Sequence, residues 1–132
     1  MAALAEVTHW ITLDSSCWLE YIMDTKRADL YEAAIERPET LIVPMITVYE
    51  VYKKVLRECG SAIARETVGL MRQGKLIEAD LSISLAAAQL DMSMADSIIY
   101  ATAREYNATV WSQDAHFEGR LGVKFFPKLA SH

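Results

Sequence analysis

Residues 93–114 read SMADSIIYATAREYNATVWSQD. They predict a helix starting near Asp96, a short turn at Tyr106 and Asn107, and a strand from Ala108 to Trp111. One carboxylate, Asp96, therefore falls in the first turn of a helix. Another, Asp114, falls just past the carboxyl end of the next strand. In open α/β sheets both places lie on the rim where ligands bind. The first strand, expected over residues 8–13 (THWITL), ends the same way, in Asp14. Acids delivered to one rim by separate segments suggest a metal site.

The rest of the chain alternates strands with helices. Asp14, Ser15 and Ser16 supply the groups that start a helix, and CWLEYIM continues it. A second helix is expected over residues 28–36, ending before Pro38. Leu41, Ile42 and Val43 form a short apolar run, as a buried parallel strand requires. A helix follows over residues 45–59, with Gly60 as its stop. Another helix is expected over residues 61–73, a weak strand over 75–79, a helix over 82–90 and a closing edge strand over 123–126. This alternation predicts one α/β domain spanning residues 1–132, built on a mainly parallel sheet of about 4–5 strands with helices on both faces.

Two acids have bland readings as well. On the helix over residues 45–59, Val48, Tyr52, Val55 and Leu56 share a face and Glu50 projects away from it. That geometry allows Glu50 to be a surface residue pairing with Lys54. Ser93 and Asp96 match an S-x-x-D capping box, which explains Asp96 without a ligand.

Composition narrows the function classes. An apolar fraction of 52% with three prolines among 132 residues argues for a packed core instead of disorder. No apolar run approaches the ~20 residues needed to cross a bilayer. The start of the chain lacks the basic and apolar regions of a secretory signal, and Cys17 and Cys59 form no ligand or disulfide pattern. A cytoplasmic chain with reduced thiols is expected. The net charge is −5, yet residues 53–75 carry six bases and two acids. A basic strip beside an anionic, cation-loaded site suits a phosphodiester substrate, although a solvated helix face would look the same.

Four carboxylates gathered within ~5 Å would repel by roughly 3 kcal/mol per pair at an effective dielectric near 20. Six such pairs exceed the ~5–15 kcal/mol stability of a whole domain. A cluster of that kind persists if protonated or if a cation sits in it. Oxygen donors select Mg²⁺ or Mn²⁺ over Zn²⁺, and such ions suit phosphoryl transfer. Other chemistries lack their residues. The three histidines show no triad pattern, there is no Gly-rich phosphate loop, and Ser16 stands where a phosphoaspartate enzyme of the haloacid dehalogenase type has a second Asp.

LDSSCWLEY at 13–21, TVYEVYKK at 47–54, MADSIIYATA at 94–103 and WSQDAHFEG at 111–119 together resemble a PIN-domain ribonuclease, most of all the VapC-type toxins of toxin–antitoxin pairs. The resemblance runs from Leu13 to Pro127. It implies a three-layer α/β/α fold, with Asp14, Glu50, Asp96 and Asp114 as the catalytic metal-binding acids. Ser15 and Ser112 fall where the family has supporting hydroxyls. His116 stands where many relatives carry an additional Asp or Asn, and it reads here as a partly exposed loop residue before Phe117.

The resemblance further implies Mg²⁺- or Mn²⁺-dependent endonucleolytic cleavage of structured RNA such as tRNA or rRNA. Activated water would attack phosphorus and leave 5′-phosphate and 3′-hydroxyl ends. A homodimer and a cognate VapB-like antitoxin are implied as partners. Two alternatives stay open: a PIN-fold RNA-processing nuclease without an antitoxin, and an inactive PIN binding module.

Overall fold

The computed structural model describes residues 9–128. Thr8, where the first strand was expected to begin, lies outside the described residues. Five strands are described: β1 (Ile11–Leu13), β2 (Ile42–Pro44), β3 (Lys75–Ile77), β4 (Thr109–Ser112) and β5 (Val123–Phe125). Six α-helices join them: α1 (Ser15–Ile22), α2 (Ala28–Ile35), α3 (Met45–Cys59), α4 (Ser61–Met71), α5 (Leu81–Ala88) and α6 (Met94–Glu105).

Every ladder is parallel. β4 lies between β1 and β5, with Leu13 opposite Trp111 and Ser112 opposite Phe125. β2 pairs with β3, and a parallel bridge between Ile11 and Leu41 joins the two ladders. The strand order is therefore β3-β2-β1-β4-β5. All five strands run in one direction, so their carboxyl ends share one rim, and Asp14 and Asp114 follow two of those ends.

Alternation along the strands divides the core. Leu13, Leu41 and Val43 pack with Trp18, Tyr31, Ile35, Val51 and Val55, under α1 to α4. Ile42 and Val110 face the other way and pack with Ile83, Ile99 and Phe117, under α5 and α6. Each of these aliphatic side chains contributes about 1.5–3 kcal/mol by leaving water. The helices thus cover both faces of a parallel sheet, as the alternation of elements predicts. Entry into β3 depends on Gly74. A Cβ there would stand 2.8 Å from Val43 Cγ2, and the close approach lets the Lys75 amide reach the Leu41 carbonyl at 2.9 Å.

Helix α3 turns most of its expected face inward, with Val48 and Tyr52 packed against the core beside Val55. Its buried residues are Thr47, Val51 and Val55, and Leu56 is exposed. The helix packs against α1, α4 and α6, and Thr47, Val51 and Val55, spaced four apart, form the stripe it buries. Among the described residues, no helix is long and apolar enough to cross a membrane.

Candidate metal centre

Asp14 is delivered by the end of β1 and caps α1. Its Oδ1 accepts from the Cys17 amide at 3.1 Å and from Ser16 Oγ at 2.8 Å. Its Oδ2 accepts from the Ser112 hydroxyl at the end of β4. The cap expected from sequence and the rim position expected from topology are both present in one side chain. Asp14 is buried, so these donors fix its orientation as well as satisfy it.

Ser112 Oγ also accepts from the Asp114 amide at 2.9 Å. One hydroxyl thus couples the turn that carries Asp114 to the carboxylate of Asp14. Asp114 in turn caps a one-turn 3-10 helix, Ala115–Phe117, by accepting from the His116 amide at 2.9 Å. Phe117 is fully buried and anchors that turn in the core.

Asp96 sits in the first turn of α6, behind the Ser93 cap, whose Oγ accepts the Asp96 amide at 3.3 Å. The helix dipole favours a carboxylate there. Burial nevertheless pushes the Asp96 carboxyl above the usual range, and the negative charges of Asp114, Asp14 and Glu50 push the same way. Glu50 lies on α3, where its Oε1 accepts from the Ser15 hydroxyl. Lys54 does not pair with it; that ammonium lies 2.8 Å from Glu58 instead.

All four acids line a single cavity of about 230 Å³, together with Ser15, Ser16 and Leu19. Among the described residues none of the four has a Lys or Arg salt-bridge partner. A cluster that raises the carboxyl of one member, and that no described Lys or Arg neutralises, has the charge and the oxygen donors that fit a hard divalent ion.

Two residues have a larger part than the sequence suggested. His116 is exposed, as expected, but its Nδ1 stands 3.0 Å from Asp114 Oδ1 and 4.0 Å from Asp96 Oδ2. Asp96, Asp114 and His116 form a group whose donor atoms all lie within 4.8 Å of one another. Gln113 is buried between the two rim residues of β4. Its Oε1 accepts from Arg27 Nε at 2.7 Å and Tyr31 OH at 2.8 Å, and its Nε2 donates to Glu20 Oε2 at 2.6 Å. Arg27 also donates to the Phe126 carbonyl at 2.9 Å, tying the end of β5 to the same network. Nothing in the local string around Gln113 signals partners 82 to 93 positions away.

A family model described as PIN domain matches residues 11–120. Among solved structures, a toxin–antitoxin complex from Klebsiella pneumoniae superposes with a TM-score of 0.76 at 17% identity, covering 89% of this chain and 99% of that one. A VapC toxin of Mycobacterium tuberculosis described as cleaving the sarcin–ricin loop gives 0.68 at 17% identity, over 81% and 92% of the two chains. A DNA-bound VapBC from Salmonella typhimurium gives 0.67 at 14% identity, over 91% and 98%. No curated protein matches the sequence.

Proposed function

This chain belongs to the PIN domain family, and from that premise we propose that it is a divalent-metal-dependent endoribonuclease, the toxin of a VapBC-like toxin–antitoxin pair. The observation that carries the reading is the convergence of Asp14, Glu50, Asp96 and Asp114 on one cavity from four separate segments.

Asp14, Glu50, Asp96 and Asp114 are the residues that would hold Mg²⁺ or Mn²⁺, which when bound supplies activation of water and neutralisation of charge at phosphorus. The chain's own residues do the positioning. Ser16, Cys17 and Ser112 hold Asp14 in one orientation through three hydrogen bonds. Ser15 does the same for Glu50. The Cys17 thiol is driven far above its usual range by burial and then by Asp14, so it stays a neutral donor, to the Trp111 carbonyl at 3.3 Å. An acidic cavity repels a phosphodiester until its charge is compensated, which makes cleavage conditional on the ion.

The substrate in this reading is structured RNA, such as a tRNA or rRNA loop. The sarcin–ricin loop named for the M. tuberculosis neighbour is one example of that class. Lys53 and Arg57 are exposed on α3, the helix that carries Glu50, and they suit contact with the RNA backbone. A homodimer, a VapB-like antitoxin, a cytoplasmic location and a single domain over residues 1–132 belong to the same proposal. The toxin–antitoxin complexes among the structural neighbours support the antitoxin.

The test is cleavage of total RNA by the purified chain, with 5′ ends mapped. Cleavage that needs Mg²⁺ or Mn²⁺, stops with chelator and is lost in Asp14→Asn supports the proposal. Equal cleavage by the variant contradicts it. Induction that arrests growth, relieved by a co-expressed antitoxin, supports the toxin role; growth unaffected by the wild-type chain contradicts it.

A further inference from the structure

We propose that His116 is a metal ligand, and that its imidazole makes the Asp96–Asp114 side of the cavity prefer Mn²⁺ to Mg²⁺. The inference rests on the metal-holding reading of the cavity and adds a nitrogen donor to it.

Octahedral ligands at about 2.1 Å from an ion stand about 3.0 Å apart when adjacent and about 4.2 Å apart when opposite. His116 Nδ1 is 3.0 Å from Asp114 Oδ1 and 4.0 Å from Asp96 Oδ2. Two of the three donor separations therefore fall within the span of one octahedral site, and all three donor atoms lie within 4.8 Å of one another. The ring also starts from a fixed backbone. The His116 amide donates to Asp114 Oδ1 at 2.9 Å, and its carbonyl accepts from Arg120 Nε at 2.9 Å. Arg120 is itself held by Asp91 at 2.9 Å, and the next residue, Phe117, is buried.

The competing use of the contact is an ion pair with Asp114. The His116 side chain is 77% exposed, and a pair that open to water contributes little. Coordination gives the same ring a stronger role. Mg²⁺ demands oxygen and gives up water reluctantly, whereas Mn²⁺ shares its preference for carboxylates but, as a first-row transition ion, takes an imidazole nitrogen more readily than Mg²⁺ does. Mn²⁺ accepts both the carboxylates already in the cavity and one nitrogen.

The experiment is titration of the purified full chain with Mn²⁺ and, separately, Mg²⁺, together with electron spin-echo modulation of the bound Mn²⁺. A ¹⁴N modulation is expected in the wild type and absent in His116→Ala and His116→Asp. The ratio of Mn²⁺ to Mg²⁺ affinity should fall at least about tenfold in His116→Asp, the lower end of what even an outer partner of a metal site costs. Because the side chain is exposed, both variants should retain the wild-type far-UV spectrum. Saturable Mn²⁺ binding that is lost in Asp96→Asn but shows no nitrogen modulation overturns the role of His116 and leaves the carboxylate site standing. Absence of any saturable Mn²⁺ binding overturns both.

Discussion

Ser112 donates its hydroxyl to Asp14, a residue 98 positions away, and takes the Asp114 amide on the same oxygen. Two rim acids are thereby held by one buried side chain. Ser112→Ala leaves Asp14 Oδ2 and the Asp114 amide without that partner. The expected cost is about 1–3 kcal/mol of stability and about 10–100-fold in RNA cleavage. Ser112→Thr keeps the hydroxyl and should recover most of the activity. Urea denaturation and single-turnover cleavage measure the two effects separately.

Glu50 and Lys54 make a sharper pair of variants. Glu50→Gln removes a charge from the cavity and should lower cleavage by about 100-fold or more, as loss of one group stabilising transition-state charge does elsewhere. Lys54→Ala breaks only a surface pair with Glu58 and should leave cleavage within about twofold. If the two variants behave alike, Glu50 is not part of the machinery.

That contrast also marks what could be read in advance. Asp14, Asp96 and Asp114 were legible because each follows a strand or opens a helix, and the topology of a parallel sheet sends such positions to one rim. Glu50 was not legible from the wheel, because it sits off the Thr47, Val51 and Val55 stripe that α3 buries, and only Ser15 and the other acids brought up by the fold make that side part of a cavity. The resemblance of the four motifs was what pointed to it. Gln113 was missed for a different reason: its contacts are with Glu20, Arg27 and Tyr31, which come near only after the chain has closed. His116 stood out in the sequence, but its approach to Asp96 likewise exists only in the fold.

The strained charge of Asp96 gives a pH-dependent prediction for the ion-free protein. Its folded carboxyl is raised, first by burial and then by Asp114, so the folded state binds more protons than the unfolded one. Stability contributed by this group is therefore complete below the ordinary aspartate range and is lost as pH rises through the folded value. Asp96→Asn should melt higher than the wild type at neutral pH without divalent ions, and the gap should close in acid. Mn²⁺ should raise the wild-type melting temperature more than that of the variant. Thermal melts across pH, with chelator and with Mn²⁺, check all three.

Gln113 links α1, α2 and the ends of β4 and β5 through Glu20, Arg27 and Tyr31. Burial raises the Glu20 carboxyl, but hydrogen bonds from Thr25 and Gln113 outweigh it and leave the group below the usual glutamate range. That contribution is present above the ordinary glutamate value and is lost as pH falls through the folded one. Gln113→Leu strands three polar partners and should cost about 1–3 kcal/mol for each group left unsatisfied. The variant should also lose less stability than the wild type on acidification from neutral pH to about 3, well below the unperturbed glutamate value of about 4.3. Urea midpoints at the two pH values read both effects.

Crystals soaked in Mn²⁺ and measured at an energy where manganese scatters anomalously test the central claim most directly. An anomalous peak is predicted inside the cavity, within coordinating distance of Asp14 and Asp96 carboxylate oxygens, with Glu50 and Asp114 turned toward it. A cavity without manganese, with Glu50 and Asp114 swung out into solvent, would contradict the account.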